Sequence, residues 1–475
     1  MVELFWMAGK AFIIALILTP IIRDISRSFN IVDRPGQRKV HAYPMPRVGG
    51  IAIAIAYGVS LISFTGSGSQ AFAGPLFPAW KIIPGAAMVF VLGLIDDFFS
   101  LKPLVKLFGL IAAASVVFFS GTSLGDIANH SMPVWLDYPL TVFWLLLTSN
   151  ALNLVDGLDG LCAGMGLVAT LALFTAAMIH GNHPLAYVTF PLAGALLGFL
   201  CFNLAPATVF LGDSGALLIG FLLGCYGMIW TQKASTLLSM LVPLLALSIP
   251  LLDVSLSVLR RFLRNQPIFS ADRGHIHHRL LDRGLSPRQA VWVLYLFAAL
   301  ASAFALLATS FGGRYQGFVI AAFCLVAWIG VRQLRYPEFY IAGRLLFRGE
   351  LQRAMNVQLK IESVASALEP PATAEQWWDS LVLALAPLGL CAMRWSSPAG
   401  VRERHISPAR PAWSFRVPLT GADSVEFDGP PATAESHMPA FDLVGFAAVL
   451  CRTFPPNRVA TPESAPAEKV AAALP

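Results

Sequence analysis

Long apolar runs alternate with short polar connections through the first two-thirds of the chain. The runs lie near 4–22, 49–65, 80–95, 104–121, 136–153, 161–180, 185–202, 215–231, 236–253, 289–309 and 316–333. As helices, runs of this length match a hydrocarbon layer about 30 Å thick. The pattern predicts an all-α polytopic membrane protein with about eleven transmembrane helices. After about residue 345 the long runs stop. Glu350–Leu368 reads as an amphipathic helix, and Glu369-Pro370-Pro371 as a break. Thr373–Leu390 reads as a second helix with Trp377, Trp378 and Leu381 on its apolar face. Strand-like runs follow at Cys391–Trp395 and Trp413–Leu419, then a helix near Ala440–Phe454 and a Pro/Ala-rich end. The expected organisation is a membrane-embedded domain over 1–340, a small C-terminal cytoplasmic α+β domain over 341–460, and a disordered tail over 461–475.

Composition sharpens this picture. Only 13% of the 475 residues are charged, 56% are hydrophobic, and mean hydropathy is +0.67. Soluble domains carry about 25% charged residues, so a soluble enzyme is excluded. The net charge of +6 is concentrated before Glu350, and the tail is mildly acidic. One set of connections holds Arg23, Arg27, Arg34, Arg38, Lys39 and Arg47, then Lys102 and Lys106, then Arg260, Arg261, Arg264, Arg273, Arg279, Arg283 and Arg288. The other set holds only Lys81, Lys233 and Arg314. The positive-inside rule makes the first set cytoplasmic, with the N-terminus out and the C-terminus in. The expected partner of these basic loops is membrane lipid, and no nucleic acid is expected. The first run has no basic flank or small-residue cleavage site and reads as a retained span. Six scattered cysteines lack metal or redox spacing and read as free thiols.

Against this background the polar positions inside the apolar pattern stand out. Asn150, Asn153, Asp156 and Asp159 recur every third residue at the end of one run, with Gly157 and Gly160 between and after the carboxylates. Spacing of three keeps neighbouring polar groups on one helix face. Capping a helix end would use one or two such residues, and ionisable groups at membrane helices are functional by default. Asp96, Asp97, Asp213 and Asp253 also fall at the cytoplasmic ends of spans. The acids converge on one membrane face, beside many arginines and histidines.

Each cluster suggests chemistry. The adjacent Asp96 and Asp97 repel unless a cation or a proton sits between them. Asp213 lies in a Gly-Asp-Ser-Gly turn that opens a helix, where it is either an N-cap or a hard oxygen ligand suited to Mg²⁺, with Mn²⁺ as an alternative. Phe210, three residues earlier, would stack on a base. Arg260 and Arg264 lie four apart on a helical extension, followed by Asp272-Arg273-Gly274-His275-Ile276-His277-His278-Arg279. Arginine and histidine together suit a phosphate or diphosphate; zinc lacks a clear fourth ligand. The first loop, Asp33 to Gly50, combines Lys39, other basic residues and prolines in a stretch that suits an anionic lipid headgroup or serves as a topology signal.

Five motifs occur together: Asp-x-Pro-x-x-Arg-Lys-x-His from Asp33, the Asp96-Asp97 pair, Asn-x-x-Asn-x-x-Asp-Gly-x-Asp-Gly from Asn150, the Phe202-to-Gly215 turn, and His275-Ile276-His277-His278. In this order they resemble the polyprenyl-phosphate N-acetylhexosamine-1-phosphate transferases, of the glycosyltransferase family 4 type, over about residues 1–335. The resemblance implies a multi-pass enzyme of the bacterial inner membrane. It would transfer a sugar 1-phosphate from a UDP-N-acetylhexosamine, most simply UDP-N-acetylglucosamine, to undecaprenyl phosphate and release UMP. By resemblance, Asn153 and Asp213 would hold Mg²⁺, and Asp96 and Asp97 would act near the metal, one of them orienting or deprotonating the lipid phosphate. Asp156 and Asp159 would contact nucleotide or sugar. Lys106, Arg260, Arg264, His275, His277 and His278 would hold phosphates. Lys39, Asn150 and Phe210 complete the candidate substrate-binding set, and homodimer formation is left open.

Two other readings compete. The related branch that transfers phospho-N-acetylmuramoyl-pentapeptide would carry three consecutive histidines where this chain has His275-Ile276-His277-His278. An ion-coupled transporter would carry acids near the bilayer midplane in two matching halves, a pattern the sequence does not display. The C-terminal region is vaguely similar to ligand-sensing GAF-type modules and is equally compatible with a docking or regulatory appendage. It carries no catalytic motif.

Overall fold

The computed structural model describes residues 1–32, 44–65, 77–127, 130–233, 240–263, 274–310, 316–333, 368, 373–385, 391–398, 400–407, 410–419, 422–429, 447, 450, 451, 453 and 454. The chain divides into two compact units, Met1–Tyr336 and Pro337–Pro475.

The first unit is a helical bundle built around α8 (Gly212–Lys233), whose apolar window is buried along its whole length. Around it pack α2 (Gly49–Thr65), α3 (Phe77–Phe99), α5 (Val134–Val155) and α6 (Leu161–Ile179). Hydrocarbon gives packed helices no hydrophobic advantage over lipid, so a helix enclosed this fully needs close backbone approach. Small residues on α8 provide it. A Cβ on Gly220 would lie 2.5 Å from the Thr148 carbonyl oxygen, and one on Gly224 would lie 2.4 Å from the Thr148 hydroxyl, both on α5. The outer helices are α1 (Val2–Ser28), α4 (Pro103–Phe119), α7 (His183–Asn203), α12 (Pro287–Ser310) and α13 (Gln316–Gln333). Among the described residues, seven helices (α1, α3, α5, α6, α7, α8 and α12) are long and apolar enough to cross a membrane, and α2, α4 and α13 carry shorter apolar segments. The chain is a multi-pass membrane protein.

The run expected as one span over 236–253 differs. It forms α9 (Leu241–Ala246) and α10 (Ser248–Leu263), separated at Leu247. Pro250 explains the break, because it has no N–H to donate to the Ala246 carbonyl. Bonds on either side persist, from Leu247 N to Pro243 O and from Leu251 N to Leu247 O. A short helix, α11 (Ile276–Leu281), follows. A two-stranded hairpin, β1 (Asp126–Ile127) and β2 (His130–Ser131), joins α4 to α5.

The second unit pairs α14 (Ala374–Leu385) with a four-stranded antiparallel sheet of order β4-β3-β6-β5: β3 (Ala392–Ser397), β4 (Gly400–His405), β5 (Trp413–Pro418) and β6 (Ser424–Gly429). Residues 386–390 of the expected helix lie outside the described residues, and β4 and β6 were not anticipated. Neither reads as an apolar run: Gly400–His405 holds three charged side chains, and Ser424–Gly429 is half polar. Register explains both. Trp395 and Met393 of β3 pair with Val425 and Phe427 of β6, and with Phe415 and Val417 of β5 they join Trp377, Trp378 and Leu381 in one core. The alternate positions carry a charge ladder, with Arg394 bonded to Glu403 and Glu426. Ala447, Leu450, Cys451 and Thr453 are helical. Almost all of the helix expected over 350–368, and the expected tail over 461–475, lie outside the described residues.

Candidate active site

The site is assembled at the N-terminus of α8. Gly212, at φ +77°, makes the turn into the helix, and a Cβ there would meet the Arg47 carbonyl at 2.0 Å. A left-handed turn this crowded favours glycine. The first N–H groups of a helix have no intrahelical acceptor. Here Asp97 of α3 supplies acceptors from outside the helix: Oδ1 accepts from Asp213 N at 2.7 Å and Oδ2 from Ser214 N at 3.0 Å. Both oxygens of Asp97 are thereby engaged in holding the start of α8, where a negative group also complements the helix dipole.

Asp96 faces a different environment. Its Oδ1 accepts from Leu101 N at 2.6 Å. Its Oδ2 meets the ammonium of Lys106, which also bonds Asp213 Oδ2. A tight turn through Ser100 (φ +50°) and Pro103 at the start of α4 bring Lys106 back beside Asp96. Lys106 therefore bridges two carboxylates from α3 and α8.

The Asn150-to-Gly160 stretch closes the site from α5. Antiparallel packing places Thr148 and Ser149 against Gly220, so the next turns of α5 run toward the first turn of α8. Asn153 is half-buried there. Asp156 follows the last residue of α5, and its carboxyl is pushed up to about 7, first by burial and then by the negative charges of Asp213, Asp97 and Asp159, with Arg47 opposing. Asp159 Oδ2 accepts from Ala207 N at 3.0 Å, tying this loop to the 204–211 segment. Asn150 donates to Leu146 O of its own helix at 2.8 Å. Phe210 is held in a short backbone pairing: its N–H donates to Pro46 O at 2.8 Å, and Gly49 N donates to its carbonyl at 3.0 Å.

The basic segment contributes a separate wall. Arg260 donates to Gly274 O at 2.9 Å. His275 and His277 stack in parallel with centroids 5.7 Å apart, and His278 lies 4.3 Å from His277 at a tilt of 43°. His277 reaches the acidic loop directly: a Cβ on Gly157 would lie 2.6 Å from His277 Nε2. Only glycine leaves room for the ring between Asp156 and Asp159 in sequence. Burial, then the neighbouring His278, depress the His277 pKa to about 4. Lys39 and Arg264 lie outside the described residues.

The structure thus joins Asp96, Asp97, Lys106 and Asp213 by direct bonds, sets Asp156 in their field, and brings His277 onto the adjoining loop. Two residues of the site were missed as such in the sequence. Arg47 read only as one of the loop's basic residues, suited to a lipid headgroup or to topology, yet its backbone is clamped against Gly212 and its charge acts on Asp97 and Asp156. Asp253 was noted only as one more acid at a span end; it is buried in α10 and bonded to His275. A lone carboxylate in an apolar helix was the available signal, since burying it demands a partner.

The donor set suits a hard divalent cation. Asp96 and Asp213 present oxygens to one point, already compensated there by an ammonium, and Mg²⁺-type ions take one or two protein carboxylates with the remaining positions left to other oxygens. Among the described residues no group of three or more His, Cys, Asp or Glu encloses a metal position.

Known proteins are similar to this chain over much of its length. The pattern of glycosyl transferase family 4 matches residues 79–231, which run from α3 through α8. A Bacillus subtilis protein named probable undecaprenyl-phosphate N-acetylglucosaminyl 1-phosphate transferase is 35% identical over 295 residues, covering 60% of this chain and 80% of the relative. A Mycolicibacterium smegmatis decaprenyl-phosphate N-acetylglucosaminephosphotransferase is 34% identical over 330 residues, covering 63% and 80%. The Escherichia coli K12 undecaprenyl-phosphate alpha-N-acetylglucosaminyl 1-phosphate transferase is 29% identical over 310 residues, covering 62% and 80%. With most of each relative aligned and the carboxylate motifs meeting at one helix N-terminus, the chain belongs to glycosyl transferase family 4.

Proposed function

We propose that this protein transfers N-acetylglucosamine 1-phosphate from UDP-N-acetylglucosamine to undecaprenyl phosphate at the cytoplasmic face of the bacterial inner membrane. The observation that carries the reading is the convergence of Asp96, Lys106 and Asp213 at a helix N-terminus whose geometry Asp97 fixes. An oxygen of the lipid phosphate forms a bond to the sugar-linked phosphorus. The bond from that phosphorus to the bridging oxygen breaks, and the bridging oxygen leaves with UMP. Reactions of this kind depend mainly on positioning and charge neutralisation.

The residues divide that work. Asp96, bonded to the Lys106 ammonium, would orient the lipid phosphate and accept a proton from its monoanionic form. A divalent cation, Mg²⁺ or Mn²⁺, held by Asp213 and Asn153 would neutralise charge on the diphosphate. Lys106 and Arg47 would hold phosphate oxygens, with His277 and His278 approaching from the other wall. Asp156 and Asp159 would meet hydroxyls of the nucleotide or sugar, and Phe210 would stack on uracil. The reading takes the N-terminus as outside and counts eleven spans, with the α9–α10 pair as one of them. This puts every acid of the site on the side where the UDP-sugar is made and where the lipid phosphate meets water.

The test is UMP release by purified protein in detergent with undecaprenyl phosphate and divalent metal. Separate reactions would contain UDP-N-acetylglucosamine, UDP-N-acetylgalactosamine and the UDP-muramoyl-pentapeptide. Release with UDP-N-acetylglucosamine is expected. Release with the pentapeptide donor alone would move the protein to the neighbouring branch, and no release with any donor from folded protein would sink the reading.

A further inference from the structure

Asp253 is the most deeply buried carboxylate among the described residues, at 1% exposure, in an α10 otherwise mostly apolar up to Arg260. A charge there would be strongly unfavourable without partners. Both of its oxygens have them, and both partners come from the segment that returns more than twenty residues later. Oδ1 accepts from Ile276 N at 2.8 Å. Oδ2 meets His275 Nδ1 at 3.0 Å, and His275 is itself only 7% exposed.

We infer that Asp253 is a positioning residue of the transfer reaction: it fixes the Nδ1–H form and the ring plane of His275, so that Nε2 is the atom His275 presents to the site. An ionised carboxylate can only accept, so the proton of the shared bond resides on Nδ1. A carboxylate behind a histidine fixes its tautomer and orientation in the same way at metal sites. His275 lies 4° from parallel with His277, their centroids 5.7 Å apart. His277 in turn abuts Gly157, between Asp156 and Asp159 in sequence. One buried carboxylate thus anchors His275 at the start of the His-x-His-His segment, whose His277 lies against the acidic loop. The inference rests on the transferase reading for what His275 acts upon, but not for the tautomer.

The alternative is that Asp253 merely caps α11 through Ile276 N. Asp253→Asn separates the two. Asparagine retains an oxygen for Ile276 N–H but turns an amide donor toward His275 Nδ1, which moves the imidazole proton to Nε2. The expected result is a folded protein, melting within a few degrees of wild type, whose UMP release falls on the order of 10- to 100-fold. In a His275→Ala background the same change should reduce release less than about twofold, because residues acting through one another are not additive. Histidine-selective ¹⁵N spectra, with His275 assigned by its loss in His275→Gln, should show Nδ1 protonated in wild type and Nε2 protonated in Asp253→Asn. An unchanged His275 tautomer in Asp253→Asn, or an undiminished loss in the His275→Ala background, would overturn the inference. Failure of the wild type to release UMP would refute the transferase reading, while the ¹⁵N spectra would still decide the role of Asp253.

Discussion

Asp97 Oδ1 accepts the backbone N–H of Asp213 at 2.7 Å, so one aspartate of the adjacent pair holds the helix that carries the third. Its neighbour Asp96 shares the Lys106 ammonium with the Asp213 side chain. Adjacent residues near the end of a helix point about 100° apart, and that divergence separates structural from chemical work.

Asp97→Asn should therefore lower stability and turnover together. Asparagine has one acceptor oxygen for two N–H groups and sets an amide donor against the other. Bonds to charged groups are worth about 1.5–3 kcal/mol, so a loss of about 2 kcal/mol in stability and at least tenfold in UMP release is expected. Asp213→Asn keeps its backbone N–H on Asp97 and should abolish turnover while melting close to wild type. Thermal melts alongside UMP assays check both. Equal melting temperatures for Asp97→Asn and wild type would remove the capping role.

Lys106 gives a second expectation. Lys106→Met leaves the Asp96 and Asp213 carboxylates facing each other across an apolar side chain. Divalent cations should then stabilise the variant more than they stabilise wild type, because ligand that binds only the folded state adds stability. Melting temperature against Mg²⁺ concentration, with Ca²⁺ and Na⁺ as controls, reads this directly. A smaller Mg²⁺-induced shift in Lys106→Met than in wild type would show that the cation does not bind at the Asp213 carboxylate that Lys106 contacts.

The positions of the acids at helix ends were legible in the motifs. Apolar runs and one-sided acids are local patterns, and they place Asp96, Asp97, Asp156 and Asp213 at helix ends without any knowledge of packing. Separate roles for Asp96 and Asp97 were not legible, because only the docking of α3 on α8 decides which carboxylate meets the helix N-terminus. The partners of Asp253 were not legible for a related reason: they are 22 and 23 residues away in sequence. Arg47 was hidden by its surroundings, since a basic residue in a basic loop carries no distinguishing signal. In the second unit, β4 and β6 have too few apolar positions to announce themselves, and cross-strand register alone gives them their place.

His277 should make the protein acid-sensitive. Its pKa is pushed down to about 4, first by burial and then by His278, with His275 adding to the effect and Asp253 opposing it. The unfolded chain binds a proton near 6.5 and the folded one near 4. Stability from keeping His277 neutral is complete above pH 6.5 and is lost progressively as pH falls toward 4, by at most about 3 kcal/mol. His277→Gln should flatten that part of the melting profile while leaving the region above pH 7 unchanged in slope. Identical profiles for variant and wild type between pH 6.5 and 4.5 would show that His277 is not held neutral by the fold.

The second unit offers a test of independence. Trp377 is fully buried, donates from Nε1 to Thr453 Oγ1 at 3.2 Å and meets Phe454 edge-on at 5.0 Å. Truncating a buried tryptophan costs about 3–5 kcal/mol, a large part of the total stability of a small unit. Trp377→Ala should make the region beyond Pro337 susceptible to limited proteolysis under conditions where the wild type resists. The family pattern matches residues 79–231, all in the first unit, so the reaction should not need the second unit, and UMP release by Trp377→Ala should stay within about twofold of wild type. Proteolysis that leaves the second unit as resistant as before would show that its core does not depend on Trp377. Loss of UMP release with the bundle intact would make the second unit part of the transferase machinery.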